Sequence, residues 1–176
     1  MGMESIHRSF KKHYDAYADP LFRFCLWRVS DRETALDLVQ DTFMRYWDAI
    51  ASGQRVDGEK ALLFTIARRL VIDHYRKKKT LSLDDALEDA DTTDIPDPSS
   101  FDLFESAAEG RRALETIQKL RPSPRQVVYL RFVEGLSPKE IAEVLGISPN
   151  AASVRIDRGL KELKGFLDPT RHGTHF

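Results

Sequence analysis

Apolar side chains recur along this chain at the three-to-four-residue spacing of helices, and almost every element follows from that rhythm. Ile6, Phe10, Tyr14 and Tyr17 predict a helix over residues 4–18. Asp19-Pro20 predicts the start of another over 20–29. That second helix is apolar nearly all round, with Leu21, Phe22, Phe24, Cys25, Leu26, Trp27 and Val29 broken only by Arg23 and Arg28, as expected at the centre of a bundle. A third helix, capped by Ser30 or Asp31, runs to about Ala51 on the stripe Leu36, Val39, Phe43, Trp47 and Ile50, and Gly53 stops it. The two glycines and polar residues of Ser52–Glu59 predict an exposed loop, a common place for function on a rigid scaffold.

A long helix over Lys60–Lys79 follows, its inner face made by Leu63, Phe64, Ile66, Ala67, Leu70, Val71 and Tyr75. Thr65, Arg68, Arg69, Ile72 and Arg76 lie on the other side, and the helix ends in Arg76-Lys77-Lys78-Lys79. Cations complement a helix C-terminus, but this many exceed that need, so the face suits a nucleic acid. From Thr80 to about Phe101 periodicity disappears and acidic residues and prolines take over, the composition of a linker. Helical spacing returns over 102–120 with Leu103, Phe104, Ala107, Leu114, Ile117 and Leu120. Ser123-Pro124-Arg125-Gln126 predicts a capping-box start for a helix reaching Glu134, carrying Val127, Val128, Leu130, Arg131 and Phe132.

Ser137–Leu163 is the stretch whose spacing implies a task as well as a fold. Ser137, Pro138 and Glu140 make an N-cap, first helical residue and capping box, Ile141, Ala142 and Leu145 form the stripe, and Gly146 lets the chain leave sharply. Ser148-Pro149 opens a second helix with Ala152, Ile156, Leu160 and Leu163 on one face. Two helices across so short a turn are a helix-turn-helix. At about 100° per residue, the buried face turns Asn150, Val154, Asp157, Arg158 and Lys161 outward. Asn150 and Ser153 then suit base edges, Val154 a thymine methyl, and Arg155 and Arg158 phosphates.

Composition changes this picture little, but charge does. Hydrophobic residues at 41% and charged residues at 31% fit a globular protein, and no apolar run is long enough to cross a membrane. The N-terminus lacks an apolar secretory core, so a cytoplasmic protein without membrane insertion is expected. The net charge of −1 hides a segregation: +4 over residues 1–79, −10 over 80–110 and +5 over 111–176. Two basic blocks flanking an acidic belt suit two modules that approach a polyanion and a connector that avoids it. Cys25 is the single cysteine, in an apolar run, and reads as a buried inert thiol. The five histidines are scattered, His172 and His175 stand isolated in the tail, Asp73-His74 has no nucleophile beside it, and no Gly-rich phosphate loop exists. Neither catalysis, nor a metal, nor a cofactor finds support.

The motifs ALDLVQDTFMRYW at 35–47, LLFTIARRLVIDHYRKKK at 62–79 and LRPSPRQVVYLRFVEGLSPKEIAEVLGIS at 120–148, in this order, resemble an extracytoplasmic-function sigma factor of bacterial RNA polymerase over residues 8–166. The resemblance implies an all-α fold of two small helical domains: 1–79 for core polymerase and the minus-ten element, an acidic linker over 80–101, and a helix-turn-helix domain over 102–168 for the minus-thirty-five element, with 169–176 a tail. It implies Asp37, Gln40 and Asp41 as the polymerase patch, facing the clamp helices. Promoter DNA falls to Arg68, Arg69, Arg76 and Lys77 of the second motif, with the 52–59 loop capturing a flipped base. It further implies an anti-sigma factor as a partner, and a connector that threads the polymerase cleft, its acids Asp84, Asp85, Glu88, Asp89, Asp91, Asp94 and Asp97 imitating RNA. Leu62 stands where many members carry Trp and Arg69 where many carry Asn. Ala151-Ala152-Ser153-Val154-Arg155 keeps only the arginine of the usual Thr-Val-Lys-Ser-Arg, so the upstream site sequence is not carried over. A stand-alone helix-turn-helix regulator would explain residues 123–166 but leave the first basic block without a task.

Overall fold

The computed structural model describes residues 3–81 and 108–167, and within them every regular element is helical. In order these are α1 (Met3–Val29), α2 (Arg32–Ala51), α3 (Glu59–Leu81), α4 (Ala108–Gln118), α5 (Pro122–Val128), a π-helical turn (Tyr129–Val133), α6 (Pro138–Leu145) and α7 (Pro149–Leu167). The acidic belt, the apolar positions expected at 103–107 and the tail lie outside the described residues.

α1 to α3 form one bundle. The predicted break at Asp19-Pro20 does not occur, and Pro20 lies inside α1. An interior proline costs about 3 kcal/mol, whereas each fully buried large apolar side chain returns roughly 1.5–3 kcal/mol. Leu21, Phe24 and Cys25 are wholly shielded just after it, and Phe10 and Tyr17 pack on the same core before it, so tertiary packing holds the helix through the proline. Ser30, at φ 55°, turns the chain into α2, and Asp31 caps that helix by accepting the Thr34 N–H at 2.7 Å. The buried stripe of α2 is Ala35, Leu38, Val39, Thr42, Phe43 and Tyr46, rotated from the expected one so that Leu36 is exposed. α3 keeps its expected inner face, with Leu63, Phe64, Ala67, Leu70 and Val71 buried.

In the second half the predicted capping box at Ser123 is absent. The helix starts at Pro122, and the Arg121 N–H is satisfied by Glu162 of α7 at 3.0 Å, a tertiary partner in place of a local cap. The helix-turn-helix forms as expected: Glu140 and Ser137 cap each other, Gly146 is left-handed, and Ala151 N–H donates to the Ser148 hydroxyl. The π-helical turn adds a residue between α5 and α6, burying Tyr129 and Leu130 and turning Arg131 and Phe132 to the surface.

The buried side chains of both halves belong to one cluster, in which α6 lies on α3 and Tyr129 reaches α1.

Candidate nucleic-acid interface

Three polar surfaces stand on three of these helices. On α2, Asp37, Gln40 and Asp41 are all exposed, because Leu38, Val39, Thr42 and Phe43 commit the opposite face to the core. Beside them α1 and α2 leave a groove of about 650 Å³, where Tyr14, Leu36 and Met44 present apolar surface next to Gln40.

The second surface belongs to α3 and the loop before it. Arg69, Arg76 and Lys77 are exposed, and Arg68 is half-buried. The loop has a pocket on either flank. One, of about 560 Å³, is floored by His13 and Tyr46, whose Nδ1 and hydroxyl lie 2.6 Å apart. Burial pushes the Tyr46 phenol up to about 12, helped by the charge of Glu59, so it remains a neutral hydrogen-bonding group. The other, of about 210 Å³, lies between Gln54–Gly58, Leu62 and Thr65, with Glu143 of α6 in its wall.

The third surface is the outer face of α7. Asn150, Val154, Asp157, Arg158 and Lys161 are exposed, with the asparagine at the N-terminal end of the helix and the cations further along. Arg155 is half-buried, and the half-buried Ser153 hydroxyl donates to the Pro149 carbonyl at 3.1 Å. α7 is held by close approach to α5: a Cβ on Gly159 would lie 2.5 Å from Val128 Cγ2 and 3.3 Å from the Pro124 carbonyl oxygen.

Sequence reasoning missed a fourth group. Glu134 is buried, its side chain 1% exposed, and burial raises its carboxyl above the usual range although Arg23, Tyr129 and Lys60 pull the other way. Its visible signal was one acid at the end of an apolar run, just before Gly135. Cys25 is sealed in the core, and burial pushes its thiol up to about 12, against the weaker pull of Arg28. Among the described residues no His, Cys, Asp and Glu cluster could hold a metal, and no helix is long and apolar enough to cross a membrane.

The two halves match two family models: Sigma-70 region 2 over residues 13–80 and Sigma-70, region 4 over 110–163. The chain is 31% identical to the RNA polymerase sigma factor SigZ of Bacillus subtilis, across 90% of this chain and 87% of that protein. It is 28% identical to the ECF RNA polymerase sigma factor SigX of the same organism, across 94% and 87%. It is 30% identical to the ECF RNA polymerase sigma factor BldN of Streptomyces coelicolor, across 90% of this chain but only 60% of that longer relative. Among solved structures, CnrH in complex with the cytosolic domain of CnrY superposes with a TM-score of 0.56 at 25% identity, covering 95% of this chain and 90% of that one. The sigma factor RpoE in complex with the anti-sigma factor NepR, from Bartonella quintana, has the same fold, with a TM-score of 0.65 at 24% identity over 93% and 99%.

Proposed function

The chain belongs to the extracytoplasmic-function sigma factors of bacterial RNA polymerase, proteins of transcription initiation, and from that membership we propose how its surfaces divide the work. Residues 1–79 form the polymerase and minus-ten module, 80–101 the connector and 102–168 the minus-thirty-five module. The α2 patch of Asp37, Gln40 and Asp41 docks on the clamp helices. Arg68, Arg69, Arg76 and Lys77 hold the opened minus-ten strand, and the 52–59 loop takes a base swung out of the stack, a displacement that costs a few kcal/mol and needs a ready pocket. In α7, Arg155 and Arg158 hold phosphates, while Asn150, Ser153 and Val154 choose bases. The protein works in the cytoplasm as a non-catalytic subunit, and an anti-sigma factor is its natural means of control.

The observation that carries this reading is that three separate faces left outside the core are the ones the work requires: acidic and amide groups on α2, cations on α3, and an asparagine followed by arginine on a capped α7. Reconstitution with core polymerase tests it. Asp41→Lys is expected to weaken core binding while helicity and Tm stay those of the wild type, since Asp41 is exposed. Arg158→Ala is expected to weaken the holoenzyme on all promoters alike and to make the salt slope shallower by about one. Asn150→Ala instead changes which upstream sequence is preferred. A chain that binds duplex sites equally well with and without core polymerase would be a stand-alone regulator.

A further inference from the structure

The outer face of α7 carries more than phosphate binding needs. At about 100° per residue, Asn150, Val154, Asp157 and Lys161 fall within about 60° of one another and make one exposed stripe, with Arg155 and Arg158 along its flank. The fold has no use for the middle of this stripe. Val154 stays 39% exposed and outside the core cluster, and among the described residues Asp157 takes part in no ion pair although Lys161 stands one turn further on. An acid on a helix offered to a polyanion is costly, because every phosphate it approaches repels it. The helix itself is firmly held: Gly159 lets α5 come close, the Ser148 hydroxyl accepts the Ala151 N–H, and Glu162 accepts from Arg121. The stripe is therefore presented in a fixed orientation.

Each of its first three side chains has a match on the base edges of a major groove. The Asn150 amide sets an acceptor beside donors, the complement of adenine N6 and N7. Val154 offers only methyl groups, and the C5-methyl of thymine is the one apolar group on those edges. A carboxylate such as Asp157 can only accept, so guanine N7 and O6 and thymine O4 repel it and its partner must be an amino group. Beside adenine N6 lies the N7 lone pair, which faces the second carboxylate oxygen, whereas beside cytosine N4 lies a C–H. The acid therefore favours cytosine. A helix rises about 1.5 Å per residue, which puts Val154 about 6 Å and Asp157 about 10 Å beyond Asn150. At about 3.4 Å per base pair these offsets are about two and three pairs.

We propose that α7 reads a word of four base pairs: an adenine against Asn150, a thymine methyl two pairs on against Val154, and a cytosine amino group at the third against Asp157, the acid rejecting sites that lack it. The proposal rests on the sigma-factor reading for where the word lies, in the upstream element, and on the three side chains for what the word is.

Selection from duplexes randomised over the upstream element, using holoenzyme with the full chain, is expected to enrich this word, each wrong pair costing roughly five- to a hundredfold in affinity. Asn150→Arg is expected to exchange the adenine for guanine, whose O6 and N7 take a guanidinium. Asp157→Asn, which can donate as well as accept, is expected to lose the demand for cytosine and to raise binding of unrelated duplexes several-fold. Replacing the thymine by deoxyuridine removes only its methyl, and should weaken the wild type several-fold while leaving Val154→Ala unaffected. The three side chains are exposed, so helicity and Tm are expected to stay those of the wild type, and the randomised and deoxyuridine duplexes test the wild type without any substitution. An unchanged preference in Asn150→Arg, an equal deoxyuridine penalty in both proteins, or a wild-type word without adenine and cytosine three pairs apart overturns the assignment. The same word selected equally well without core polymerase keeps the assignment and removes the sigma reading, whereas core-dependent selection of a different word does the reverse.

Discussion

At the scale of single residues, Glu134 is the group whose environment departs most from what its type prefers. A carboxylate this buried is costly unless paired, and here Tyr129 donates to one oxygen and Arg23 to the other. Burial still outweighs these partners and raises the carboxyl above its ordinary value of 4.5. The folded state therefore keeps this proton to higher pH than the unfolded one. The stabilisation is complete below about pH 4.5 and is lost as pH rises through the raised value. Glu134→Gln has no proton to lose but keeps an oxygen for Tyr129. Denaturant titrations of both proteins from acid to neutral pH should show the wild type losing ground to the variant as pH rises. A difference that is flat with pH would mean that the carboxyl titrates as an exposed one does.

At the scale of elements, the helix-turn-helix is the best-determined part because its signals are local. Ser137 with Glu140, Gly146, and Ser148 with Pro149 act within one turn, and all are realised where the spacing puts them. What was illegible depended on distant partners. Pro20 continues α1 because packing on both sides outweighs its cost, Ser123 loses its cap to an Arg121–Glu162 contact 41 residues away, and Leu36 turns outward because Ala35 and Leu38 fit the bundle better. The candidate site divides the same way. Asn150, Val154 and Arg158 were readable by angle from an apolar face and Asp37, Gln40 and Asp41 followed from the resemblance, whereas the half-burial of Arg68 and the Arg23–Glu134 contact across 111 residues were not legible. Gly159 is a further such case, since nothing near it in sequence says that Val128 and Pro124 fill the place a Cβ would take. Gly159→Ala forces a methyl into that contact and should cost about 1–3 kcal/mol, read as a lower Tm. Val128→Ala in the same chain should recover part of the loss, because Val128 Cγ2 is the closest obstacle. If Gly159→Ala instead raises Tm through its gain in helix propensity, α5 and α7 are packed less tightly than this contact implies.

At the scale of the whole molecule, compactness and reach make opposite demands on residues 82–107. To serve both promoter elements at once, the two modules must stand about 85 Å apart. Twenty-six residues, whatever conformation they take, span at most about 90 Å. With about 10 Å more at each end for the thickness of a helix, the greatest open span is roughly 110 Å, enough for both elements. The compact form asks far less, since no two points of a body about 40 Å across need more than that. Deleting Asp85–Asp97 leaves a connector reaching about 45 Å, enough for the compact arrangement. The same allowance at each end brings its open span to roughly 65 Å, still short of the promoter. The shortened chain is therefore expected to keep its Tm, or to gain slightly because halving a loop lowers its closure entropy by about 0.6 kcal/mol. With core polymerase it should lose transcription from a normally spaced promoter and regain some when the two elements are moved closer. Replacing Asp84, Asp85, Glu88, Asp89, Asp91, Asp94 and Asp97 by Asn or Gln keeps the length and so should leave promoter binding largely intact, which separates reach from charge. Wild-type transcription from the shortened chain at normal spacing would mean that its two modules do not engage the two elements together.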